Sequence, residues 1–406
     1  VPPAFMNAHR RTVLAFILFA GPAACFVGAA PVPRIIPVIT WAAPSPEARL
    51  LADTLARVLR RAAADSAFPG AFAVAGRRTG VLAYASVGRI DWDSAAPAPD
   101  DRTLWDLASL TKVIGMTSAM MQLVERGRVE LDAPAQRYLP EWAGPGRAEV
   151  TVRHLLTHTS GLPAFRRYDT LTTNADSIAG LLFAEPLDTV PGARMVYSDI
   201  GAYLLGRIVE RVSGQALDRY LEEHVFRPLD MRETMYRPPP ELLARIAPTE
   251  IDTVRGKIHG AVHDPRAFYL GGVSAHAGLF GSARDLARFA QMYLNGGELG
   301  GVRIFRPETV ELFTTRQVAD RALGWQKPSG TNTAGHLMSE RAFGHTGFTG
   351  TSVWMDPTHD VFVILLSNRV NPTSVHPRIS GVRVALADAV MSVVTGARSP
   401  LTQERP

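Results

Sequence analysis

Strand-like patterning sits at the two ends of this 406-residue chain, and helical patterning fills most of the two hundred residues between them. That distribution limits the fold more than any other feature. Near the start, Pro46 to Ala64 reads as a helix, apolar at Leu50, Leu51, Leu55, Val58 and Leu59. Two short strands follow, Ala71 to Ala75 and Val81 to Val87, joined through Gly76-Arg77-Arg78-Thr79-Gly80. Near the end, Ala342 to Thr346, Thr351 to Met355 and Val361 to Ser367 are short and apolar or alternating, and a helix from Ile379 to Val394 closes the pattern. Strands and a helix at both ends imply one α/β (α+β) body built from the two termini, with an all-helical region inserted in its middle. The expected boundaries are a domain over 47–396, its α/β part being 47–100 and 320–396 and its helical part 101–319. Between the parts, where clefts form, lies Leu107-Ala108-Ser109-Leu110-Thr111-Lys112.

Apolar residues at Leu110, Val113, Ile114, Met120, Met121 and Val124 predict a helix from about Ser109 to Glu125, stopped by Gly127. Partners three apart on a helix have Cβ atoms about 5 to 6 Å from each other, so Lys112 can reach the Ser109 hydroxyl. A serine needs an adjacent base to become a nucleophile, and a lysine serves if burial and the helix dipole favour its neutral form. The plain alternative makes Ser109 a helix cap and Lys112 a surface residue. Two further segments carry candidate groups: Tyr197-Ser198-Asp199, before a helix from Ile200 to Val212, and His345-Thr346-Gly347, on a predicted strand. Alone, these read as an aromatic beside a helix start, an N-cap aspartate and a strand histidine. A further helix, Ala283 to Leu294, opens with Ser282 and Asp285 in a capping-box pattern.

The net charge of +5 comes from scattered arginines, since lysine occurs only at 112, 257 and 327. Without a basic stripe on one element, nucleic acid is not an expected partner. His154 and His158, and His259 and His263, are spaced four apart but lack the glutamate of a zinc-protease motif, so no metal and no cofactor are expected. His9-Arg10-Arg11, the apolar run Val13 to Ala20 and the small residues Val27-Gly28-Ala29 read as a signal peptide over 1–29. A proline- and alanine-rich linker over 30–46 follows, and 397–406 reads as a tail. The single cysteine, Cys25, lies within the signal-like segment and offers a lipid attachment site, and hence membrane attachment, as an alternative to soluble export.

The three motifs keep the order of Ser-x-x-Lys, Ser-Asp-Asn and Lys-Thr-Gly, and the chain resembles the class C β-lactamase and D-alanyl-D-alanine carboxypeptidase superfamily from about residue 65 to 395. Arg153-His154-Leu155-Leu156-Thr157-His158-Thr159-Ser160-Gly161-Leu162, Gly278-Leu279-Phe280 and Gly344-His345-Thr346-Gly347-Phe348-Thr349-Gly350 strengthen the likeness. The resemblance implies a β-lactamase/transpeptidase-like fold, an antiparallel sheet flanked by the N- and C-terminal helices. It also implies Ser109 as acylated nucleophile, Lys112 as its proton partner and Tyr197 as second acid/base. Backbone N–H groups of Ser109 and Phe348 would form the oxyanion hole, while Asp199, His345, Thr346 and Gly347 would bind substrate, His345 and Thr346 at its carboxylate or carbonyl. Two departures stand out. Asp199 replaces the usual asparagine, so that position can only accept, and His345 replaces the lysine typical of class C enzymes. The implied function is an exported, periplasmic or extracellular serine hydrolase. It would act through an acyl-enzyme on an ester or D-amino-acid peptide or amide, small or peptidoglycan-derived, with slow β-lactam reactivity. A true class C-like β-lactamase and a non-catalytic penicillin- or cell-wall-binding module are the alternatives.

Overall fold

A computed structural model of the chain describes residues 45–375 and 378–397. The signal-like segment, Cys25, all but the last two linker residues and the tail beyond 397 lie outside the described residues. The described chain opens with helix α1 (Pro46–Ala64), whose first turn is closed by Ser45 Oγ accepting from Ala48 N at 3.0 Å. Pro46, the last residue of the expected linker, is therefore the first helical residue, as the helical spacing predicts, and Ser45 is its cap.

The main sheet has five strands: β1 (Gly70–Arg77), β2 (Gly80–Gly88), β3 (Phe343–Thr346), β4 (Ser352–Asp356) and β5 (Val361–Ser367). Their spatial order is β3-β4-β5-β1-β2, and every pairing is antiparallel. The two ends of the chain meet where β1 pairs with β5, Ala71 opposite Ser367 and Val74 opposite Ile364. Side chains alternate across β1. The alanines 71, 73 and 75 join one core with α1 and α5 (Ile379–Thr395), while Phe72 and Val74 join the larger core of the helical region. Small residues on one face let two helices approach closely, and large ones on the other fill the gap to the insert.

The insert holds helix α2 (Ser118–Glu125), helix α3 (Asp199–Ser213) and helix α4 (Ala283–Leu294). It is helical in bulk, but the expectation of an all-helical region needs amendment. Trp105–Asp106, Met235–Tyr236 and Leu279–Gly281 pair into a three-stranded sheet that runs directly into the Ser109 turn. Helix α4, placed by sequence in the helical part, packs against β1, β4 and β5. Its Ser282 Oγ caps Asp285 N at 3.3 Å, but the reciprocal half of a capping box is not made. The Asp285 carboxyl instead accepts from Glu233 N and Thr234 Oγ1 at 2.7 and 2.9 Å, and burial pushes its pKa up to about 7. No helix among the described residues is long and apolar enough to cross a membrane.

Candidate active site

Ser109 stands on a tight turn rather than inside a regular helix. Ala108, just before it, has φ +46°, a left-handed conformation costly for a residue with a Cβ. The turn is over-determined by its neighbours: Asp106 Oδ1 accepts from Ala108 N at 2.8 Å, Asp106 Oδ2 from His263 N at 2.6 Å, and Leu107 N donates to Leu279 O at 2.9 Å. Burial raises the pKa of the Asp106 carboxyl. After Ser109, the expected α-helix begins as a π-helical stretch, Lys112–Thr117, before becoming α2. Such bulges recur at functional sites because they re-aim side chains.

Lys112 is 1 % exposed. Its Nζ donates to Ser109 Oγ at 3.0 Å and to the His276 carbonyl at 3.0 Å, and forms an ion pair with Asp199 Oδ1 at 2.8 Å. All three ammonium protons are thus directed at acceptors. Burial pulls the lysine pKa down most strongly, but Asp199 and then Tyr197 outweigh it and the net shift is upward. The condition for a neutral lysine base, that burial dominate, is opposed here by a carboxylate within ion-pair distance, which favours the ammonium.

Asp199 is the first residue of α3, where the helix dipole favours an anion. It is not the N-cap; that is Ser198, whose Oγ accepts from Gly201 N at 3.1 Å and donates to Pro163 O at 2.7 Å. The second Asp199 oxygen takes a hydrogen bond from Arg266 Nη2 at 2.7 Å. Burial pushes its carboxyl up, but Lys112, His276 and Arg266 together hold it far below the usual range. Both oxygens face protein cations, so Asp199 supports the charge of Lys112.

Tyr197 connects the first motif to the third. Lys112 Nζ lies 4.9 Å from its ring centre, Arg321 Cζ 5.2 Å, and the rings of His158 and His345 4.6 and 5.8 Å. Its buried hydroxyl has no partner in good hydrogen-bond geometry among the described residues, although it lies near enough to Lys112 to help hold the lysine charged. His345, opposite Val353 on β3, is likewise unsatisfied at Nε2. Its Nδ1 lies 2.9 Å from the Thr346 carbonyl. A carbonyl only accepts, so Nδ1 carries the proton and Nε2 offers a lone pair. Burial first, then Arg321 and Lys112, lower the His345 pKa to about 3. A neutral ring presenting a lone pair cannot grip a carboxylate, which departs from the role implied for His345.

Gly347 works by close approach. A Cβ there would run into Thr351 Oγ1 and lie 2.5 Å from the Leu107 carbonyl oxygen. Thr349 Oγ1 donates to Asp106 O at 2.6 Å and Thr351 Oγ1 to Leu107 O at 3.1 Å, tying the Phe348 loop to the Ser109 turn. Arg383, from α5, donates to the carbonyls of Gly347 and Thr351 at 2.6 and 2.8 Å. Phe348 itself is exposed, with Arg369 over its ring at 4.4 Å. The histidine pairs serve separate local bonds. Nδ1 of His154 accepts from Thr151 N and that of His158 from Ser198 N, while His259 Nε2 meets Ile246 O and His263 Nε2 meets Glu250. Sequence reasoning missed Arg266, Asp264, His276 and Arg321. The first three fall in a glycine- and proline-rich stretch with no periodic signal, and Arg321 is one arginine among many.

A model of the Beta-lactamase family matches residues 55–387. The chain belongs to the beta-lactamase family. Among its relatives in this family, an Escherichia coli (strain K12) protein named "Putative D-alanyl-D-alanine carboxypeptidase" is 37% identical over 317 residues, 68% of this chain and 71% of the relative. Among solved structures, a class C beta-lactamase superposes with a TM-score of 0.72 at 18% identity, covering 88% of this chain and all of the other. The hydrolase EstCE1, described as having promiscuous acyltransferase activity, gives 0.69 at 21% identity, covering 84% of this chain and all of the other. This beta-lactamase family member is a serine hydrolase of the β-lactamase/DD-peptidase type, with the β-lactamase/transpeptidase-like fold.

Proposed function

We propose that the protein is an exported hydrolase that forms an acyl-enzyme on Ser109, acting on D-amino-acid peptides or neutral esters and only slowly on β-lactams. The carrying observation is the Lys112 amine, whose three protons face Ser109 Oγ, the His276 carbonyl and Asp199. A nitrogen donating all three protons has no lone pair with which to take the serine proton. The group beside it without a partner in good hydrogen-bond geometry is the Tyr197 hydroxyl.

In acylation the Ser109 proton passes to the Tyr197 oxygen, which must be phenolate at that moment, while Oγ bonds to the substrate carbonyl carbon. Backbone N–H groups of Ser109 and Phe348 hold the oxyanion, each such donor contributing about 3 kcal/mol in comparable sites. The C–N or C–O bond then breaks and Tyr197 returns the proton to the leaving group. Water repeats the sequence on the acyl-enzyme: its proton goes to Tyr197 and on to Ser109 Oγ, and the acid is released.

The choice of substrate rests on charge. His345 is neutral, the Lys112 charge is matched by Asp199 and that of Arg321 by Asp320, so none of the three offers a small anionic lactam a constant unpaired cation. The name carried by the Escherichia coli relative supports a D-alanyl end as one candidate. The pattern over residues 1–29 supports export. The test is exposure to a fluorophosphonate, a penicillin, a p-nitrophenyl ester and a D-alanyl peptide, with the adduct mapped by mass spectrometry and its loss timed. The expected result is an adduct on Ser109, lost quickly for the ester or peptide and slowly for penicillin. Labelling elsewhere overturns the nucleophile. Turnover of nitrocefin at roughly 10⁶ M⁻¹s⁻¹ with esters and D-alanyl peptides ignored overturns the substrate class.

A further inference from the structure

Behind Lys112 the polar contacts close into a ring. Lys112 Nζ meets Asp199 Oδ1 at 2.8 Å, and Asp199 Oδ2 accepts from Arg266 Nη2 at 2.7 Å. The same nitrogen donates to Asp264 Oδ2 at 2.7 Å, and Asp264 Oδ1 accepts from His276 Nε2 at 3.1 Å. The backbone of His276 completes the circuit, because its carbonyl accepts from Lys112 Nζ at 3.0 Å. His276 is fixed at its other nitrogen as well, with Ser274 Oγ 2.7 Å from Nδ1. Since Asp264 only accepts, Nε2 bears a proton and donates it to the carboxylate.

Two cations, Lys112 and Arg266, and the His276 ring face two carboxylates, Asp199 and Asp264, so each carboxylate has its partners within the protein. Arg266 and His276 are both less than a tenth exposed, and the half-exposed Phe165 lies over the guanidinium at 5.5 Å from ring centre to Cζ. The residues come from the π-helical stretch, from the start of α3, from a short helix at Pro265–Tyr269 with its cap Asp264, and from the loop at 276. Few arrangements of four separate segments keep one nitrogen between two carboxylates by chance of packing, and such buried pairs persist only when their geometry is nearly fully satisfied.

We propose that Arg266 is a positioning residue for acylation: by clamping Asp199 against Asp264 it fixes two Lys112 protons inside the ring and leaves the third aimed at Ser109. The proposal rests on the reading of Ser109 as the acylated serine. Asp199 must then be ionised for full activity, and the groups that face it are Lys112, Arg266, Asp264, His276 and, more distantly, His158. Burial acts to raise its carboxyl and the cations to lower it, Arg266 among them. Losing Arg266 therefore raises the pH below which the ring fails.

The experiment compares wild type with Arg266→Gln, Arg266→Lys and Asp199→Asn, each checked for thermal midpoint, using full-length protein and a p-nitrophenyl ester. Arg266→Gln is expected to lower kcat at least tenfold with KM nearly unchanged, and to move the acidic limb of the pH profile upward. Arg266→Lys is expected to recover much of the loss, because one nitrogen makes both bonds. Asp199→Asn removes the anion that opposes burial at Lys112, so its basic limb moves to lower pH as the lysine loses its proton more readily. That variant keeps the shape of the side chain and tests the ring even if Arg266→Gln does not fold. A wild-type rate and unshifted acidic limb in a folded Arg266→Gln overturn the proposal, as does an unshifted basic limb in Asp199→Asn. If wild type itself fails to label at Ser109, the functional reading has failed instead.

Discussion

The two flanks of Tyr197 are built differently. On the Lys112 side, Lys112, Asp199, Arg266, Asp264 and His276 satisfy one another through bonds of 2.7 to 3.1 Å. On the other side, Tyr197 Oη, His345 Nε2, and Arg321 Nε and Nη1 are buried without hydrogen-bond partners among the described residues. Arg321 has a long ion pair with Asp320 at 3.5 Å. Buried polar groups are ordinarily bonded, and exceptions cluster where a ligand completes them. On the proposed function this difference is a division of labour, the satisfied flank being machinery that the protein holds ready and the unsatisfied flank the one that receives substrate atoms.

Lys112→Ala attacks the satisfied flank and has the largest expected effect. It removes the donor to Ser109 and leaves Asp199 with Arg266 as its remaining cation, so acylation should be lost. Stability should fall by about 3 kcal/mol, the lower end for breaking a buried pair. Stopped-flow acylation and a denaturant melt read the two losses, and an unchanged melt would break the comparison. Tyr197→Phe attacks the other flank. Acylation should drop roughly 10²- to 10⁴-fold, while the thermal midpoint changes little, because the hydroxyl removed has no partner in good hydrogen-bond geometry.

Arg321→Met should have a smaller effect, read as a rise in KM larger than any fall in kcat, again without loss of stability. A large drop in thermal midpoint would show that Arg321 belongs to the scaffold. At neutral pH the smallest effect is expected at His345, whose contribution emerges only on acidification. Folding holds His345 near 3, against about 6.5 in the unfolded chain. Between those values the unfolded chain binds the proton and the folded one does not, so stability is full above about 6.5 and is lost as pH falls toward 3. His158, also lowered by burial, acts in the same direction. A His345→Gln variant should show a shallower loss of thermal midpoint over that window, and an unchanged slope would remove His345 from the neutral, lone-pair role.

What could be read from the sequence was local. Ser109 and Lys112 are three apart on one turn, so their meeting depends on backbone periodicity alone, and the hydroxyl–amine bond of 3.0 Å follows. The strand segments and their closing helices were legible for the same reason: alternation and helical spacing are written within a few residues. The charge of Lys112 was not legible. It depends on Asp199, on the His276 carbonyl 164 positions away, and on Arg266, itself 67 positions from Asp199. Read alone, Asp199 is a helix-start acid and His345 a histidine of ordinary acidity. Lys112, His276 and Arg266, acting against burial, turn the first into the strongly acidic partner of Lys112, and burial with Arg321 and Lys112 turns the second into a neutral acceptor. Spacing along the chain decides which atoms can meet within a turn. Protonation and hydrogen-bond direction are decided by the dielectric and the charges that only tertiary folding brings together.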